Sequence, residues 1–320
     1  MEINLVEVGE PDALRFWETS PHATAFNKPA FARRFSPTVR WFVAMKGLTP
    51  YILWPVATHE KGIVATPGFS YYFGPMWSNE AWAKSITSRM SDAQHCYGAL
   101  MEHLLNLFTS LEFELHPTNL DVRFFDWWNY GEEGLPRFSI EPRYSAVIEN
   151  LESQSDELLL ANMRKWRRIE VRRARSDPRY VLTDSVSPDV FLEIRRETFA
   201  GQGELESESE RTSIDALFSM MESGEAFATG VLDTASGETV AANLALDGGG
   251  VSNLVLSVLR SSHRSDGVGP FATYSAIGSA RQRGMKTFDF NGANSPRRGD
   301  DKHSYGAQPL LYFRLRFPEK

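Results

Sequence analysis

Arg264-Ser-Asp-Gly-Val-Gly-Pro270 lies between an apolar β-type run, Val251–Leu259, and a helical run from Pro270 to Arg283 that stops at Gly284. Position gives these seven residues their meaning. The first N–H groups of a helix have no intrahelical acceptor, and with the helix dipole they make an anion site. Gly267 and Gly269 carry no Cβ to hold a phosphate off the backbone, and Pro270 suits the first helical turn because it has no N–H to leave unpaired. The stretch therefore predicts a phosphate-binding turn built from Arg264, Gly267, Val268 and Gly269. An unliganded Gly-rich connection has the same spelling, so the neighbouring segments decide.

Upstream, Ala226–Asp233 and Thr239–Asp247 read as strands joined by the turn Thr234-Ala-Ser-Gly237, and Asp247-Gly-Gly-Gly250 turns the chain into Val251–Leu259. Downstream, Lys286–Asn291 (KTFDFN) reads as a further strand. The first half follows a similar order. A hairpin, Trp41–Lys46 and Pro50–Thr58, turns near Gly47; Ile63–Phe73 extends the sheet; Asp92–Ser110 is an amphipathic helix; and Leu120–Trp127 is a strand. Phe125-Asp126 then echoes Phe288-Asp289. These likenesses predict two α/β lobes, residues 1–142 and 143–320, joined near Gly131–Arg143.

A meander, then R-x-x-G-x-G, a helix and another strand resembles the coenzyme A motif of the GNAT acyltransferase superfamily. More particularly, Arg143-Tyr-Ser-Ala-Val-Ile-Glu-Asn-Leu151, LLLANMRKWRRIEVRRARS and FDFNGANSPRRGDDKHSYGA resemble the Fem-type branch, whose members have two GNAT lobes. The resemblance implies an α/β fold of two tandem GNAT-like lobes, with mixed, mostly antiparallel sheets flanked by helices. It implies acyl transfer to an amine from acyl-CoA such as acetyl-CoA. The pyrophosphate would rest on Arg264, Gly267, Val268 and Gly269, and Leu254–Leu259 would splay from its neighbour. It further gives Lys302 a charge-neutralising role and Tyr305 that of proton donor to the leaving thiolate. Two departures, an intact R-x-x-G-x-G and no segment for the helical arm of Fem enzymes, favour CoA over aminoacyl-tRNA as donor. Aminoacyl-tRNA-dependent transfer and an inactive ligand-binding module remain the alternatives.

Ser155-Asp-Glu-Leu opens a helix with a capping serine, and its later turns are strongly basic. Seven Lys/Arg and one acid, Glu170, lie between Arg164 and Arg175. Arg164, Arg168, Arg172 and Arg175 fall in one stripe, with Leu159, Met163 and Trp166 on another face against the sheet. The stripe is either a solvated face or an anion platform for CoA phosphate, a nucleotide sugar or tRNA. In KTFDFN, alternation puts Asp289 and Asn291 on one polar face near the expected thioester, with Asp289 as candidate base and Asn291 as a substrate contact. Ser295–Ala307 reads as a polar loop or short helix over the site, with His303 either a base at neutral pH or a surface histidine. Phe69–Trp77 fits an aromatic cleft wall or a core strand, and Gly201–Glu210 a lid or a solvated loop.

Composition limits the rest. With 34 Lys+Arg against 41 Asp+Glu, a net charge of −7 argues against a protein that coats nucleic acid. A single cysteine, Cys96, permits no internal disulfide, and the seven histidines lack metal-ligand spacing, so no metal is expected. No apolar run approaches the roughly 18 residues of a membrane span. A cytoplasmic enzyme acting on an amine-bearing small molecule is the expectation.

Overall fold

Gly249 and Gly250, both at positive φ (61° and 80°), reverse the chain tightly enough that Val251–Leu259 returns along Glu238–Gly248. That turn starts a sheet in the computed structural model, which describes residues 3–36, 38–60, 62–199 and 208–319. The chain divides into two units, Met1–Arg143 with Leu311–Lys320, and Tyr144–Leu310.

In the second unit the strand order is Ser139–Ile148, Thr287–Asp289, Val251–Leu259, Glu238–Gly248, Ala226–Asp233, Tyr180–Thr183. Only Val251–Leu259 and Thr287–Asp289 run parallel, because helix Val268–Gln282 crosses between them. That helix packs with Lys165–Ser176 against the sheet, burying Leu254, Phe271, Ile277, Phe288 and Phe290. Helices Pro188–Phe199 and Glu208–Ser219 add Phe191, Ile194, Ile214 and Leu217 to the interior.

The first unit repeats the plan. Thr38–Lys46 and Thr49–Glu60 form a hairpin, with Ile3–Val8 outside it. Ile63–Val64 runs parallel to Ser110–Glu114, with the helix Ile86–Leu107 between them in sequence. Its buried Cys96, Tyr97, Leu100, Met101 and Leu104 make an i, i+4 stripe. Both units are α/β, with mixed, mostly antiparallel sheets flanked by helices.

Several expectations are corrected. Leu120–Trp127 is not a strand; Asp121 accepts the Arg123 backbone N–H at 3.2 Å, and Arg123–Asp126 closes a helical turn. The counterpart of Phe288-Asp289 is therefore Phe113-Glu114, at the end of Ser110–Glu114. Ile63–Phe73 is strand only at Ile63–Val64. The final strand, Gln308–Phe317, pairs through Arg314–Phe317 with Leu111–Glu114, so the last residues cluster with the first unit instead of the second lobe. Of the acidic stretch Gly201–Glu210, residues 201–207 lie outside the described residues. No described helix is long and apolar enough to cross a membrane.

Candidate functional site

The parallel pair matches Val251 with Thr287, Ser252 with Phe288 and Asn253 with Asp289, and there the pairing ends. Opposite this point the register with Glu238–Gly248 shifts, so that Leu244 faces Leu256 and Ala245 faces Leu254, leaving Val255 as the extra residue of a bulge. On the other strand the chain turns away at Asn291 (φ 53°) and Gly292 (φ 30°). Asp289 Oδ1 accepts the Asn291 N–H at 2.7 Å, which holds the turn. Asn291 Nδ2 donates to the Leu254 carbonyl at 3.0 Å and pins the vertex of the divergence. The strand Leu254–Leu259 beyond it has no ladder partner on that side among the described residues.

Gly267 (φ 81°) caps the helix Val268–Gln282, which begins two residues before the expected Pro270. The Val268 and Gly269 N–H groups lie in its first turn, where no intrahelical acceptor exists. Arg264 is exposed, with its side chain in solvent. The reason for the glycines differs from the sequence expectation. A Cβ on Gly267 would lie 2.6 Å from the Glu170 carbonyl oxygen, and one on Gly269 would lie 3.1 Å from Leu259 Cδ2. Both α-carbons face neighbouring protein. They let the basic helix and the strand close on the turn. Tyr180 O–H donates to Asp266 at 2.7 Å and Arg173 to the Ser265 carbonyl, fixing the turn from outside.

The basic segment is two helices, Asp156–Asn162 and Lys165–Ser176, broken at Met163 and Arg164. Arg164 is the N-cap residue, so it leaves the helical stripe, and it pairs with Asp300 at 2.6 and 2.9 Å. Arg167 bonds Ser304 Oγ at 2.7 Å and Glu170 at 2.9 Å, and also reaches Asp301. Self-repulsion is thus partly relieved by acids that the sequence places over a hundred positions away. Lys165, Arg168 and Arg172 have no carboxylate partner among the described residues. Leu159 and Met163 are buried as expected, but Trp166 is 70% exposed.

The structure brings Asp289, Asn291 and Lys302 together at the vertex. Lys302 is on a helix, Pro296–His303, and its ammonium donates to the Asn291 carbonyl and, at 2.8 Å, to the Gly292 carbonyl. Burial holds that ammonium down at about 8, opposed by the Asp289 charge and assisted by Arg298. Asp289 is buried and also accepts from Ser145 Oγ. Tyr305 follows closely, its backbone N–H donating to the Lys302 carbonyl at 3.2 Å. Its ring is enclosed 5.4 Å from Phe290 and 4.7 Å beneath the Arg167 guanidinium, and burial pushes its phenol well above the usual value. His303 Nδ1 is 2.8 Å from the Ala307 carbonyl.

Sequence reasoning missed Ser145 and Asn253. Each is a polar residue inside an apolar strand run, at Tyr144-Ser-Ala146 and Ser252-Asn-Leu254, and that interruption was the available signal. Asn253 Oδ1 and Asn291 Oδ1 are buried without a hydrogen-bond partner, so the vertex holds unspent acceptors.

Residues 161–303 match the family model described as acetyltransferase (GNAT) domain. FemX has a similar structure, with a TM-score of 0.66 at 11% identity over 97% of this chain and 96% of that one. A tandem GNAT protein from the clavulanic acid biosynthesis pathway matches with a TM-score of 0.54 at 13% identity over 98% of both chains. The C-terminal domain (DUF2156) of a putative lysylphosphatidylglycerol synthetase from Agrobacterium fabrum matches at 0.58 and 12% identity, over 96% of this chain and 90% of that one. No curated protein matches the sequence. The domain match supports the GNAT superfamily for residues 161–303 and acyl transfer as the general class of chemistry, while the solved structures show a fold shared over nearly the whole chain.

Proposed function

We propose that the chain transfers an acyl group from a CoA thioester to an amine. The observation that carries this reading is the divergence at Asn253 and Asp289, followed along the chain by a helix start with unpartnered N–H groups. The thioester supplies an activated carbonyl. The first-turn amides of Val268 and Gly269, with Arg264, hold the pyrophosphate, while Arg168 and Arg172 offer further cations. The open edge of Leu254–Leu259 offers a backbone N–H to the carbonyl oxygen as it gains charge. The amine nitrogen forms the C–N bond, the C–S bond breaks, and the sulfur leaves as thiolate. The nitrogen's proton passes to a carboxylate, for which Asp289 stands at the vertex. The acceptor oxygens of Asn253 and Asn291 suit the N–H donors of an amino sugar, an amino acid or an envelope precursor. Tyr305, being enclosed, is assigned to packing under Arg167 and not to the thiolate.

The intact phosphate turn favours CoA over an aminoacyl-tRNA. Thiol release from acetyl-CoA across a panel of amino sugars and amino acids tests this. Cys96, the one cysteine, is buried with its thiol pushed up to about 12 by burial, so it adds little background. Amine-dependent release is expected. No release with any amine, alongside transfer from aminoacyl-tRNA, would overturn the CoA reading.

A further inference from the structure

A cavity of about 550 Å³ opens in the first unit, between the start of helix Ile86–Leu107 and the segment 118–127. That volume is in the range of small-molecule sites. Its walls include Trp77, Trp82, Tyr97, Phe124 and Trp127, and every lining residue belongs to this unit. The rim is apolar yet open to solvent, with Ile86 65% and Trp127 62% exposed. Such a concave aromatic surface left in water is a binding feature more often than a packing one.

The charges in the wall are uneven. Arg123 is neutralised by Asp121 in a two-pronged pair at 2.7 and 2.8 Å. Arg89 is half-buried, stacks 4.0 Å over the Trp82 ring and donates to the Trp82 carbonyl at 3.0 Å. It has no carboxylate partner among the described residues. Tyr97 is buried, and its hydroxyl accepts from Trp77 Nε1 and Asn119 Nδ2, each at 3.1 Å, which leaves the phenol proton to donate. Burial raises the phenol far above neutrality, so that proton stays in place. The wall thus holds aromatic faces, an uncompensated guanidinium and a spare O–H donor.

We infer that this cavity is a binding site for a small organic anion with an aromatic body, whose carboxylate meets the Arg89 guanidinium while its ring lies among the tryptophans. The planar fork of Arg89, already stacked on Trp82, matches a carboxylate and loses little freedom on binding it. A cationic ligand of the same shape faces repulsion from Arg89, and the Asp121 carboxylate in the wall is already engaged by Arg123, so it binds more weakly than the carboxylate.

Three probes of one shape test the inference on the full chain by titration calorimetry: 3-phenylpropanoate, 3-phenylpropanol and 3-phenylpropylamine. Saturable binding of the carboxylate is expected, roughly tenfold tighter than the alcohol, as befits a charge-assisted contact, with the amine no tighter than the alcohol. Arg89→Gln should bring the carboxylate down to the level of the alcohol, and Arg89→Lys should keep part of the preference. Higher salt should weaken only the carboxylate in the unmodified chain, which tests the claim even where a variant fails to fold. Equal affinity for all three probes, or no saturable binding of the carboxylate, would overturn it.

Discussion

Gly267→Ala is expected to lose about 2–5 kcal/mol of stability, while Gly269→Ala loses less than about 1 kcal/mol. Two costs add at Gly267. A left-handed backbone (φ 81°) costs an alanine roughly 1–2 kcal/mol. The new methyl would also press on the Glu170 carbonyl at 2.6 Å, and moving packed backbone typically costs about 1–3 kcal/mol. Gly269 has neither problem to the same degree. Its Cβ would meet the end of the Leu259 side chain at 3.1 Å, and inside a helix alanine is favoured over glycine by about 1 kcal/mol. Urea midpoints of the two variants decide it. A Gly267→Ala protein within about 0.5 kcal/mol of the parent would show that the turn is not clamped by the basic helix. The pair also separates folding from ligand contact, because the Gly269→Ala protein remains folded for binding assays.

Lys302→Ala is expected to lower kcat/KM by roughly 10²-fold and also to destabilise the fold by about 1.5–3 kcal/mol, the scale of charge-assisted hydrogen bonds. The sequence placed Lys302 only in a polar loop or short helix over the site. In the structure its ammonium ties the Asn291 and Gly292 carbonyls, so it positions the vertex as well as charging it. Arginine should rescue poorly, because a planar fork does not fit where a compact ammonium sits. The pH dependence has a definite sign. With the folded ammonium titrating at about 8, below the usual lysine value, kcat/KM should fall as pH rises past that point, and Lys302→Ala should lack this limb. Stability runs the other way. Above pH 8 the unfolded chain holds a proton the native state has lost, so this residue makes stability rise with pH until the ordinary lysine value is reached. Near-parental kcat/KM in Lys302→Ala would move the chemistry to Asp289 and Asn291 alone.

What was legible in the sequence was mostly local. Gly267, Gly269 and Pro270 specify a strand-to-helix turn by their own backbone preferences, and Ser155 caps its helix through Leu158 N–H at 3.2 Å. The alternation of Thr287, Asp289 and Asn291 holds only as far as Asp289, where the strand ends; Asn291 reaches the Leu254 carbonyl from a left-handed turn that strand periodicity does not foresee. Long-range partners were not legible. Nothing local shows that Asp300 and Asp301 would pair with Arg164 and Arg167, or that Gln308–Phe317 would join Ser110–Glu114. Trp166 was misjudged because an apolar residue on a predicted helix defaults to the core, whereas the break at Met163 and Arg164 rotates it into solvent. The Asp121-to-Arg123 turn was missed because a run rich in β-favouring aromatic residues outweighed one short polar side chain.

If the turn Arg264–Pro270 holds a pyrophosphate through the Val268 and Gly269 amides, the backbone NMR resonances of those two residues report the contact. On adding CoA, both amide signals should shift progressively and saturate together, while pantetheine, which lacks the pyrophosphate, should leave them in place. Saturable CoA binding that leaves the Val268 and Gly269 amides unmoved would contradict the account.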